Sequence, residues 1–203
     1  MRHSSSLRYA SLVGRIAPFW FVASYVLTAS LRRDYRHLNM AISELGSVGA
    51  PNALLWNIAG YVLPGIAVAC LGAASRQALP NSRRALSVSL SIALSGFFLA
   101  FAGIFPGDFE QRHSPTMILH TVGSLLSYAF FLIGGFALAG LSAELPIWQR
   151  LHRALLVVLV LSILTGFLRV GAFPGLGQRL TFLCYWVWIF LYASALTRTS
   201  DTT

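Results

Sequence analysis

The sequence predicts an all-α protein, a bundle of six helices that crosses a membrane. Three observations predict it. Six apolar runs, at 16–31, 53–74, 85–105, 117–141, 155–168 and 180–196, fill most of the 203 residues. Most of them approach the roughly 20 residues that a helix needs to cross about 30 Å of hydrocarbon. Charged residues make up 10% of the chain and its mean hydropathy is +0.69, whereas soluble domains carry about a quarter. An even number of crossings places both termini on one side and the odd-numbered loops on the other.

Each element follows in order. Residues 1–14 read as a basic cytoplasmic tail, 15–198 as the membrane domain and 199–203 as a short polar tail. Pro18 is expected in the first turn of helix one, where a missing N–H costs little. The loop over 32–52 is the longest connection. Its Leu38, Ile42, Leu45 and Val48 recur at three and four, which predicts a short helix lying in the interface. Pro51 opens helix two, and Pro64 should kink it. Helix three carries Ser87, Ser91, Ser95 and then Gly103, a small-residue face on which helices approach closely in lipid. Ser114 caps helix four, with Pro115 at its first position. The fifth run reaches spanning length only if it starts near Trp148 or continues to Ala172.

The net charge is +9, and all fifteen basic residues are Arg. They punctuate the helix ends rather than cluster, so the charge does not point to nucleic acid. Counting Arg puts nine on the side of the N-terminus and six opposite, which predicts N-in, C-in in a cytoplasmic (inner) membrane. The first run resembles a signal peptide in its basic start. Its long core, the Arg32-Arg33 pair that follows and a poor cleavage pattern read instead as a first span. Cys70 and Cys184 lie near opposite membrane faces, so no disulfide joins them.

A short repeat appears where helices turn back. Phe105-Pro106-Gly107 precedes Gln111-Arg112, and Phe173-Pro174-Gly175 precedes Gln178-Arg179, as if hairpins were duplicated. Turn chemistry alone produces the same Pro and Gly.

Nearly every side chain able to do chemistry lies in or beside the odd-numbered loops: Ser43, Glu44, Asn52, Asn57, Asp108, His113, His120, Arg169 and Arg179. His120 and Asn57 stand about a turn inside the apolar zone, where lipid cannot solvate them, so they predict a polar pocket. Ser124 and Ser127 continue the stripe of His120. One reading makes the pocket a site for a lipid headgroup or small anion, with Arg169 and Arg179 as forks and Ser43, Glu44, Asn52 and Asn57 beside them. A second is a metal site of Glu44, Asp108, His113 and His120, suited to zinc and hydrolysis, with Asp108 and His120 catalytic. Their spacing matches no strong ligand motif. A third has Glu44, Asp108 and the arginines paired in closing the loops, with His120 and Asn57 satisfying each other or a backbone carbonyl. The partners expected are membrane lipids, and a membrane protein if the chain is a structural subunit or chaperone of a complex.

Ser43-Glu44-Leu45-Gly46-Ser47, Pro51-Asn52 with Asn57 and Gly60, Phe105-Pro106-Gly107-Asp108, His120 and Gly175-Leu176-Gly177-Gln178-Arg179 resemble the domain-of-unknown-function 998 family of prokaryotic multi-pass membrane proteins. The resemblance implies a compact helical membrane domain with Glu44, Asp108 and His120 at recurrent polar positions. It implies no activity. The chain is more loosely similar to the alkaline ceramidase and adiponectin-receptor hydrolases, but Cys184, Tyr185 and Trp188 stand where those have paired histidines on the last helix.

Overall fold

The computed structural model describes residues 5–142, 146–168 and 173–201, and these are helical apart from the connections. Six helices follow one another: α1 (Ser5–Ser30), α2 (Ala53–Ser75), α3 (Arg83–Ile104), α4 (Pro115–Ser142), α5 (Pro146–Phe167) and α6 (Pro174–Asp201). Five are long and apolar enough to cross a membrane, while the apolar part of α5 is only Leu151–Phe167. Each helix packs on the next, and α1 against α6 closes the ring.

Helix α1 begins at Ser5, inside the stretch expected as a tail, because Leu7, Ala10, Ser11 and Gly14 continue its buried face. Pro18 therefore lies in the helix interior rather than in the first turn. There it frees a carbonyl one turn back, at Gly14. A Cβ on Gly14 would press on Leu71 at 2.8 Å and on Ala193 at 3.2 Å, so α1 packs closely on α2 and α6 at that turn.

Pro64 acts on α2 through register. It has no N–H to offer the carbonyl of Gly60, and the preceding residues, Asn57–Val62, form a π-helical turn. Leu63 N–H then bonds the Ile58 carbonyl, five residues back. The Trp20 indole of α1 donates to the Ala59 carbonyl at 2.9 Å, which satisfies an acceptor in the re-registered turn, as helix breaks in lipid require.

Backbones meet directly between α2 and α3. A Cβ on Gly96 would stand 2.5 Å from the Gly65 carbonyl oxygen, and one on Gly103 2.5 Å from Tyr61 Cβ. Ser89, seven residues before Gly96, bonds Ser75 at 3.1 Å on the same seam. The expected stripe thus divides. Gly103 belongs to the α2 seam, while Ser91 packs against Gly134 of α4 and Ser95 bonds Tyr185 of α6 at 3.3 Å. Rings fill the rest of the interior, with Phe131, Trp188, Tyr192 and Trp148 stacked edge or face across α4, α5 and α6. Trp148 is buried, so it packs inside rather than in an interfacial belt. Both cysteines are free thiols.

The connection between α1 and α2 does not form an interfacial helix. A single 3₁₀ turn, Ile42–Gly46, dips into the bundle with Ile42 and Leu45 almost fully buried, while Leu38 and Val48 stay exposed. The three- and four-residue spacing has two of its members inside and two outside, because the turn is a plug and not an amphipathic rod.

Candidate functional site

Three hairpin tips meet at one end of the bundle, and the plug is the piece that joins them. Val48 N–H donates to the Gly107 carbonyl at 2.9 Å, on the α3–α4 tip. Leu176 N–H donates to the Leu38 carbonyl at 3.1 Å, from the start of α6. Asn57, in the π turn, donates through Nδ2 to the Gly46 carbonyl at 2.9 Å. The opposite end is tied separately, by Ser6 with Gln77 and by Arg84 Nη1 donating to the Gly140 carbonyl.

Beneath the plug is a cavity of about 210 Å³, walled mainly by α4 and α6 with Tyr61 of α2 and Leu99 of α3. A water needs roughly 10–15 Å³ of such space, so the volume suits a small polar head rather than a single solvent molecule. Its polar surface comes from Ser43, His120, Ser124, Ser127 and Gln178, joined by the hydroxyls of tyrosines and threonines. Among the described residues no Arg, Lys, Asp or Glu lines it. Thr121 and Leu125 form the rim, and Leu125 is 62% exposed on the outer face of α4 beside Ile118 and Val122. The cavity therefore opens sideways, on an apolar helix face. On the α5 side, Tyr128 meets Ser162 at 3.3 Å and Thr165 meets Thr181 at 3.2 Å.

His120 is 5% exposed. Its Nδ1 lies 2.8 Å from the Ala102 carbonyl and 3.0 Å from that of Phe105, the unpaired acceptors at the C-terminal end of α3. Two carbonyls accept only, so the proton belongs on Nδ1. The imidazole closes a helix end and is part of the cavity lining. Gln178 does the same for the plug: its Oε1 accepts from Ile42 N–H, which fixes which end of the amide is oxygen.

The charged residues are employed elsewhere. Arg179 donates through Nε to Tyr25 Oη and through Nη1 to the Met40 carbonyl, each at 2.9 Å, and through Nη2 to Tyr35 Oη. Both tyrosine rings also flank its guanidinium. It is a clamp on the plug, with one N–H of each of its three nitrogens committed, and not a free fork. Arg169 lies outside the described residues. Glu44 accepts the Ala41 N–H at 2.7 Å, in a capping contact of the 3₁₀ turn, and Asp108 accepts the Gln111 N–H at 2.9 Å in the tip. Neither carboxylate lines the cavity. Asn52 is exposed in the left-handed region at φ 58°, a hinge into α2. His113 lies on the surface of the α3–α4 tip.

The set Glu44, Asp108, His113 and His120 is therefore not assembled. Among the described residues no three His, Cys, Asp or Glu side chains come within reach of one metal ion, so the donors do not fit zinc. The reason is local: each carboxylate serves its own turn. Loop-closing ion pairs are also not what holds the tips. Among the described residues the ion pair present is Arg32 with Asp34 at 3.3 Å, inside one loop. The hydrogen bond from Arg32 holds the exposed Asp34 carboxyl below its usual range. The part of that third reading that stands is the satisfaction of His120 and Asn57 by backbone carbonyls.

With this geometry in place, the family model described as protein of unknown function (DUF998) matches residues 15–195. The chain belongs to the DUF998 family. Searches of curated proteins and of solved structures found no match. In this DUF998 protein the quoted motifs sit at the junctions just described: 43–47 is the plug, 105–108 the tip it pairs with, and 175–179 the start of α6 that grips it. The two Phe-Pro-Gly segments are built differently. Helix α4 starts only at Pro115, leaving Arg112 exposed in the tip, whereas α6 starts at Pro174 and carries Arg179 within it.

Tyr61 and Gln178 are among the lining residues that the sequence reading did not place in the site. Tyr61 has no polar pattern around it to mark it. Gln178 stands beside Arg179 in the repeated Gln-Arg pair, and that repetition was the available signal.

Proposed function

We propose that this DUF998 protein spans the bacterial cytoplasmic membrane six times, N-in and C-in, and holds a lipid-like molecule by its polar head in the outer-leaflet cavity. The observation that carries the reading is a cavity with an uncharged polar floor and an apolar sideways rim. An amphipathic ligand satisfies both surfaces at once: its head replaces water at the hydroxyls, and its chain leaves past Leu125 among lipid tails. Six crossings are supported by α5 packing between α4 and α6 over 22 residues, about 33 Å at 1.5 Å per residue. The distribution of Arg supports the orientation.

The small-anion form of the site is less favoured, because among the described residues no cation lines the cavity and Arg179 is bound to the plug. Hydrolysis is less favoured because, among the described residues, His120 has no acid or base beside it in the cavity wall.

Native mass spectrometry of detergent-extracted protein, with lipid extraction of the same sample, tests the proposal. Wild-type protein should carry a lipid adduct, and Thr121→Trp at the rim should lose it while eluting as the same folded species. Equal adduct on both, or none on wild type, refutes it. A stoichiometric protein partner in place of lipid would favour a subunit role.

A further inference from the structure

Two side chains of the cavity are each divided between the framework and the empty space. His120 spends Nδ1–H on the carbonyls of Ala102 and Phe105, so its remaining ring nitrogen, Nε2, is an acceptor. Gln178 spends Oε1 on the Ile42 N–H, so its remaining atom is the Nε2 amide, with two N–H donors. Both assignments are forced by their partners: carbonyls cannot donate, and a backbone N–H cannot accept. Both residues are more than nine-tenths buried and both line the cavity.

Neither remaining atom has a hydrogen-bond partner among the described residues, and neither is closed off from solvent. The hydroxyls of Ser43, Ser124 and Ser127 share that condition in the same wall. A buried acceptor and a buried donor left open cost free energy unless something fills them. With no charged side chain among the described residues of the wall, an ionic head would meet no counter-charge from them.

The geometry points to a lipid whose uncharged head both donates to His120 Nε2 and accepts from Gln178 Nε2, that is, an alcohol or an amide. Water fills such a wall only as well as any hydroxyl does, and the apolar rim at Leu125 favours a head that brings a chain with it. This specificity rests on the lipid-binding reading above and goes beyond it by naming the head and the two residues that read it.

Two substitutions separate the reading atoms from the framework atoms. His120→Asn keeps an N–H near the Nδ1 position for the α3 carbonyls and removes the acceptor. Gln178→Glu keeps an oxygen for Ile42 and removes the donor. Binding is measured in detergent by native mass spectrometry with four probes of matched chain: a monoacylglycerol, an N-acylethanolamine, the fully O-methylated monoacylglycerol and a phosphatidylglycerol.

Wild-type protein should prefer the alcohol or the amide over the methylated and anionic probes by at least about tenfold, the scale of one buried group left unpaired. The ratio between the first two probes tells alcohol from amide. His120→Asn should lose the preference over the methylated probe while binding that probe as wild type does, and Gln178→Glu, which removes the donor that all three neutral heads can use, should weaken all three. If wild type binds all four alike, the donor–acceptor pair is wrong and lipid binding stands. A preference for phosphatidylglycerol also overturns the pair, and binding of none overturns both. Because the wild-type comparison needs no variant, a variant that fails to fold leaves the test intact.

Discussion

Arg179 and Tyr35 lie 144 positions apart, yet the guanidinium stands 5.3 Å from the centre of the tyrosine ring and donates to its hydroxyl. Tyr35 passes the restraint on, donating to the Ala41 carbonyl at 3.0 Å just before the plug turn. One planar fork thus fixes both ends of the plug's approach. Arg179→Lys keeps the charge and loses the fork geometry. Stability should fall by about 1.5–3 kcal/mol, the range for hydrogen bonds to charged groups, and amide exchange should accelerate across 38–46. Unchanged protection there would show that the plug is held by its apolar contacts alone.

Tyr35 also sets a pH dependence. Burial raises its phenol above the ordinary tyrosine range of about 10, against the pull of Arg179. A group whose folded value is raised contributes stability that is complete below its unfolded value and disappears as pH climbs through the folded one. The clamp should therefore be fully effective at neutral pH and weaken only in strong alkali. An ultraviolet titration of wild type minus Tyr35→Phe should show one phenol ionising later than the exposed tyrosines. A difference curve centred at the ordinary value contradicts this.

The α2–α3 seam makes a sharper demand on size. Gly96 faces the Gly65 carbonyl, and Gly72 faces the backbone of Ile92 and Ala93. A side chain at either point must push backbone and not a flexible tip, which costs typically 1–3 kcal/mol and sometimes more. Gly96→Val should lower thermal stability in detergent markedly. By contrast Gly166, with nothing within 4 Å of its Cβ direction, should accept Ala with little change. Similar melting temperatures for both variants would mean that the helices can separate at small cost.

How much of this could be read beforehand depends on what one letter of sequence conveys. The helices were legible because hydropathy is additive along a run, and α4 starts at Pro115 under a Ser114 cap whose Oγ accepts from Met117 N–H. His120 and Asn57 were legible as inward-facing because depth in lipid limits where a polar group can go. Arg179 was misread because charge is visible in a sequence, while Tyr25, Tyr35 and Met40, which absorb it, are visible only in the fold. Gln178 and His120 show the finer limit. Each name stands for two polar atoms, and only the fold decides which one is committed to the framework.

Gly46 and Asn57 give the closest coupling between plug and bundle. The Gly46 carbonyl accepts from Asn57 Nδ2 at 2.9 Å, and the Asn57 amide occupies the space that a Cβ on Gly46 would need, with Trp56 Cδ1 also 2.8 Å away. Gly46→Ala must displace either the plug or the amide, and both leave Asn57, 7% exposed, without its acceptor. That should cost about 1–3 kcal/mol, the penalty for an unsatisfied buried polar group. Asn57→Ala should cost a similar amount by orphaning the Gly46 carbonyl. The double variant removes the Asn57 part of the clash and the orphaned amide together and leaves the Trp56 contact, so Gly46→Ala should cost less beside Asn57→Ala than it costs alone, with a coupling energy of about 0.5–3 kcal/mol. Strict additivity in denaturant or thermal unfolding would show that the plug and the π turn do not share this contact, and the roof of the cavity would then have to be held from α6.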